Sequence, residues 1–198
     1  MQLTPMTELD AVNHILENMG EAPVLGLSGD LPLDALKARN KLRMVKDQVL
    51  ARGWFWNIET HELTPEVDGR IPAPEGALSV KPVYRMGYSL SIRNGFIYRT
   101  QPLNNGFTFE GSVIAEVVLN LNYDDLPPLA KHFVSRKAAR EYQVQELGNE
   151  MLVNQNSEEE ARTWSDMVAE DNRARPATIR DNPDLQSILG PNRRSWRS

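Results

Sequence analysis

Cysteine is absent from the chain, which excludes a disulfide scaffold, a thiol nucleophile and a thiolate zinc site. Long apolar runs are absent too. Nothing approaches the roughly 20 residues that cross a bilayer, and the opening MQLTPMTELD has neither the basic start nor the apolar core of a signal peptide. These features predict a product made in the cytoplasm, with no membrane contact. The spacings that usually carry chemistry are missing as well: no G-x-x-x-x-G-K-[ST], G-x-G-x-x-G, H-E-x-x-H or G-x-S-x-G occurs. His14, His61 and His132 are scattered, and His61-Glu62 lacks a second histidine, so surface or capping roles are expected of all three. No metal, no cofactor and no catalytic residue is predicted. Carboxylates are plentiful, at 27 Asp plus Glu, so pairs such as Glu59 with Glu62 or Asp124 with Asp125 arise by chance. A glycosidase needs two of them about 5–10 Å apart across a cleft, which sequence cannot show, and Asp124-Asp125 beside Leu126-Pro127 suits a helix cap better.

What is present is enough for an ordinary globular domain: 198 residues, 40% apolar, a length that closes a core without metal or disulfide. With 22 Lys plus Arg the net charge is −5, too mild and of the wrong sign for a general nucleic-acid binder. The charge is unevenly spread. Arg175, Arg180, Arg193, Arg194 and Arg197 against Asp181 and Asp184 give residues 175–198 a local +3 and leave −8 on the first 174. Such a basic, proline-broken tail is either an interaction arm or a solvated terminus.

Along the chain, Thr7 with Asp10 can cap a helix whose face is Val12, Ile15, Leu16 and Met19, stopped by Gly20. Asp30 and Pro32 open a second helix to about Arg52. Its stripe is Ala35, Ala38, Leu42, Val45 and Val49, with Lys37, Lys41, Arg43 and Lys46 off it. From Trp54 to Tyr123 the pattern turns to alternation. FWNIETHEL, ALSVKPVY and VIAEVVLNLNY read as strands, and SLSIR-Asn94-Gly95-FIYRT as a type I′ hairpin, because both turn positions require positive φ. A third helix is expected from DDLPP past Tyr142. Gly148 and Asn154–Asn156 are expected to break or kink it. A fourth is expected from a capping box at Ser157, with Ala161, Trp164 and Val168 as its face. The predicted class is α+β: a four-helix bundle with a small antiparallel β insertion between helices two and three, plus an extended C-terminal tail. The corresponding units are 1–53 and 124–174 for the helix pairs, 54–123 for the insertion and 175–198 for the tail.

Two clusters stand out. Trp54, Phe55 and Trp56 cannot all face one way on a strand, so one side meets the core and the other meets the bundle, a neighbouring subunit or a ligand. Arg136, Lys137 and Arg140 are interleaved with Ala138, Ala139 and Glu141 rather than with aromatics, which points to pairing with carboxylates of an adjacent helix and not to nucleic-acid stacking.

Four strings in order, ILENMGEAPV (Ile15–Val24), VLARGWFWNIET (Val49–Thr60), DGRIPAPEGALSV (Asp68–Val80) and DDLPPLAKHFVSRKAAREYQ (Asp124–Gln143), resemble the tail tubular protein A family of short-tailed bacteriophages. The resemblance implies a structural, non-enzymatic virion protein. It would be an adaptor or gatekeeper ring, a dodecamer, between the portal protein and the tail nozzle protein (tail tubular protein B). The ring would continue the channel through which DNA is ejected without being specifically bound. Against that background, carboxylates of the acidic body suit a lumen that repels phosphates. Ile188, Leu189, Arg193, Arg194 and Trp196 are candidate contacts to portal or neighbour, Asn94 and Gly95 candidate contacts to the nozzle, and Trp54, Phe55 and Trp56 candidates for core or subunit packing. Two other readings stand beside it: a tail-associated hydrolase of bacterial surface polysaccharide or peptidoglycan, and a head-completion connector of a long-tailed phage, which need not carry the β insertion.

Overall fold

The computed structural model describes residues 6–84, 87–100, 105–147 and 153–175. Ile188, Leu189, Arg193, Arg194 and Trp196 lie outside them. Helix α1 spans Glu8–Asn18 and starts at a capping box: the Thr7 hydroxyl accepts from the Asp10 amide at 3.2 Å, and the Asp10 carboxylate accepts from the Thr7 amide at 2.9 Å. Helix α2, Leu33–Leu50, buries Ala35, Ala38, Leu42, Val45 and Val49, the stripe its spacing predicts. A 3₁₀ turn at Tyr123–Asp125 precedes α3, Pro128–Leu147, and α4 runs over Val153–Ala174. The backbone of α4 is already helical at Asn154–Asn156 and through Ser157, so that serine lies within the helix and does not start it. Its inward face is Trp164, Met167, Val168 and Asp171, whereas Ala161 is exposed.

Five strands occupy the middle of the chain: β1 (Ile58–Leu63), β2 (Ala77–Pro82), β3 (Ser89–Arg93), β4 (Phe96–Thr100) and β5 (Val113–Leu119). β5, last in sequence, is central in an antiparallel sheet ordered β1-β5-β2, with a bulge between Ala77 and Ser79. β3 and β4 form a separate hairpin whose turn residues Asn94 and Gly95 have φ of 52° and 77°, as a type I′ turn requires. The proline-bearing segment before β2 is not only a turn. Ile71 accepts from the Ile97 amide and the Ala73 amide donates to Gly95, both at 2.8 Å, so residues 70–73 lie along the free edge of β4.

This arrangement corrects the expectation of a four-helix bundle with one small β insertion. The strands form two sheets around a hydrophobic cluster of their own, built from Leu63, Ile71, Val80, Leu90, Ile97, Phe109, Val113, Ala115 and Val117. The helices do not form four equivalent corners either: α1, α2 and α3 pack on one another, while α4 packs chiefly on α3. The physical reason is that the middle segment carries enough alternating apolar side chains to close a second core, which an appended sheet on a bundle would not need.

Candidate functional site

The turn Gly53–Asn57 connects the helical core to the sheet, and its residues are held from every side. Gly53 has φ 76°, and a Cβ there would sit 3.1 Å from the Val118 methyl, so glycine is required on both conformational and steric grounds. Trp54 is fully buried, and its indole N–H donates to the Val49 carbonyl at 2.8 Å. Its ring stacks on Trp56 with centroids 6.2 Å apart and meets Trp164 edge-on at 5.2 Å; the Arg52 guanidinium lies over both Trp54 and Trp164, at 4.7 and 4.9 Å. Asn57 is buried and fully used. Its Oδ1 accepts from the Trp54 amide at 2.6 Å, and its Nδ2 donates to Leu50 at 3.0 Å and Leu119 at 2.9 Å. The end of α4 closes the node: the buried Asp171 carboxylate accepts from the Phe55 amide at 2.7 Å, and Arg175 pairs with Asp171 at 2.9 Å while donating to the Gly53 carbonyl at 2.8 Å.

The aromatic triplet therefore sits on a turn and not on an alternating strand. Trp54 points into the helical core, Trp56 packs against that core partly buried, and Phe55 is outward at 37% exposure. Arg175, at the start of the basic tail by charge, is bonded to the folded body. Asn94 and Gly95 form an exposed hairpin tip. Sequence reasoning missed Asn57 and Asp171, because no local pattern distinguishes a buried polar residue whose partners lie up to 116 positions away.

The candidate carboxylates are dispersed or engaged. Glu59 and Glu62 fall on opposite faces of β1, with Glu59 3.1 Å from His61. Asp124 does cap a helix, but the distant one: its Oδ1 accepts from the Glu8 amide at 2.8 Å, at the start of α1. Asp124, Asp125 and Glu8 line a cleft of about 410 Å³ with Arg39, Arg43 and Lys46. Glu8 is 2.8 Å from Arg39, and Lys46 donates to Asn120 at 2.8 Å and Leu121 at 2.7 Å. Beside it the Tyr123 hydroxyl donates to the Lys131 carbonyl at 2.8 Å, and burial, reinforced by Asp124, pushes the phenol far above its ordinary range. Among the described residues no group of three acidic or histidine side chains is placed to hold a metal ion. Arg140 makes the inter-helix pair its setting suggests, bidentate to Glu160 at 2.6 and 3.2 Å.

His14 is half-buried between α1 and α3, with Nδ1 3.3 Å from the Ser135 hydroxyl and Nε2 3.4 Å from the Asn18 amide. Burial holds its pKa below the ordinary 6.5; Arg136 and His132 lower it further and Glu17 opposes them. The folded state therefore binds fewer protons than the unfolded chain. This contribution to stability is present above pH 6.5 and is lost as pH falls below it. Thermal unfolding followed from pH 7 to 5 is expected to show a steeper drop in Tm for the native chain than for His14→Gln. Parallel slopes would remove His14 from the acid response.

Comparison with known proteins links the chain to one family. A family profile described as Tube, tail tubular protein, matches residues 9–177 and so takes in both cores and the Gly53–Asn57 turn. Tail tubular protein A of Klebsiella phage KP34 is 31% identical over 165 residues, covering 82% of this chain and 85% of that protein.

Proposed function

The chain belongs to the tail tubular protein family and is a structural protein of a phage tail, and from that premise we propose that it forms the adaptor ring between portal and tail nozzle. The family match over residues 9–177 carries this reading. Its span includes the β core, which favours an adaptor over a head-completion connector, since the latter needs no such unit. The ring is a dodecamer whose lumen continues the DNA channel in the virion tail. The −8 on residues 1–174 supports a conduit role, because each cationic contact to phosphate adds salt-dependent affinity that would retard passage. The basic tail docks on the portal through Ile188, Leu189, Arg193, Arg194 and Trp196. The hairpin tip at Asn94 and Gly95 faces the nozzle.

Purified chain and a truncation ending at Arg175 test this together, each mixed with portal rings and followed by sedimentation and native mass. The expected result is a ring-sized mass of full-length chain on portal. The truncation keeps its helical circular dichroism but docks at least tenfold more weakly. Absence of any portal complex would overturn the adaptor role; undiminished docking by the truncated chain would overturn the arm.

A further inference from the structure

Opposite its buried stripe, α2 exposes a row of large apolar side chains. Leu33, Leu36 and Met44 are 66%, 43% and 56% exposed, and with Asn40 between them they follow the 3–4 spacing of one helix face. Lys41 and Arg43 flank this stripe, and neither is in an ion pair among the described residues. A second exposed apolar group is formed by Ile114, on the outer face of the β1-β5-β2 sheet, and the bend that follows β2. Ile114 on β5 is joined to Val83 by a 3.1 Å backbone bond, and Tyr84 follows; all three are exposed. This group has acidic neighbours: Glu62 is the register partner of Ile114, and Glu116 lies two residues on, on the same face. Lys81, opposite Glu116, is the one cation on that face among the described residues, so the face stays net acidic.

Singly exposed apolar residues are ordinary, but grouped ones beside unpaired charge mark contact surfaces. A closed ring with head-to-tail contacts requires two different and complementary faces on each subunit. We propose that the outer face of α2, through Leu33, Leu36 and Met44, docks on the Ile114–Val83–Tyr84 face of a second copy of this chain. In that contact Lys41 and Arg43 meet Glu62 and Glu116. The occupant is a second copy in the opposite-face sense because a same-to-same contact would set Lys41 and Arg43 against themselves, or the two glutamates against themselves, which costs free energy. The proposal rests on the ring reading above and specifies which surfaces build it.

The absence of native cysteine makes the test clean. Leu36→Cys with Ile114→Cys in one chain, assembled on portal and treated with a short bis-maleimide, is expected to give a ladder of covalent oligomers, while either single variant stops at dimer or below. Ring mass without a ladder overturns this pairing and leaves the ring standing; no ring and no ladder overturns both. Charge reversal supplies a second arm. Lys41→Glu with Arg43→Glu is expected to weaken assembly at least tenfold, and adding Glu62→Lys with Glu116→Lys to restore it. Failure of that restoration in folded protein overturns the pairing of the two faces.

Discussion

Trp54→Ala is expected to destabilise the folded chain by about 3–5 kcal/mol, the usual range for removing a fully buried indole. That is a large part of the roughly 5–15 kcal/mol by which domains of this kind are stable. The ring has no exposed surface, and it forms a four-membered cluster with Trp56, Trp164 and the Arg52 guanidinium, so its loss empties a site that neighbours from α2, α4 and the turn all border. The indole N–H bond to Val49 goes with it. Trp54→Phe is expected to cost less, since it keeps most of the packing and leaves the Val49 carbonyl without that donor. Urea unfolding followed by circular dichroism at helix wavelengths measures both, independently of tryptophan fluorescence. A loss under about 1 kcal/mol for Trp54→Ala would mean that the cluster packs without organising the core.

Asn57→Leu, nearly isosteric, is expected to cost about 2–4 kcal/mol: an orphaned buried donor accounts for roughly 1–3 kcal/mol, and lost hydrogen bonds add to it. The Trp54 amide loses its 2.6 Å acceptor, and the carbonyls of Leu50 and Leu119 each lose a donor. Leu50 still accepts from the Gly53 amide at 3.0 Å, so the amide of Trp54 carries most of the penalty. Asn57→Asp separates the hydrogen-bond account from a packing account. Its carboxylate still accepts from Trp54 but turns its other oxygen toward two carbonyls. Its defect should therefore ease as pH falls and the carboxyl regains a proton to donate. An Asp variant with a defect independent of pH would argue that shape alone matters at this position.

Much of the local structure could be read from neighbouring residues. Thr7 and Asp10 form their capping box because both halves lie within one turn, and the α2 stripe is buried because a 3–4 spacing admits one face. Asn94-Gly95 makes its turn because those two residues tolerate the positive φ that the turn imposes. Errors arose where the partner was remote. Asp124 reads locally as a cap for the helix that follows it, yet it caps α1, whose first amide is 116 residues earlier. Ser157 carries a capping-box pattern, but the preceding residues continue the helix through it. The Trp54–Trp56 string reads as strand by β propensity, whereas the bonds of Asn57 and Asp171 fix it as a turn.

The sequence by itself determined that this chain folds without disulfides, where most of its helices and strands fall, which stripes of α1 and α2 are apolar, and, through four ordered strings, which family it joins. Only the tertiary structure decided that the strands close a second core in two sheets, that β5 lies between β1 and β2, and that a buried asparagine and a buried aspartate tie the Gly53–Asn57 turn to α2, α4 and β5. The division has a physical cause. Periodicity and turn chemistry act over a few residues and are written in order along the chain, whereas strand register, distant caps and the partners of buried polar groups depend on which segments meet, and that is set by the collective burial of apolar surface.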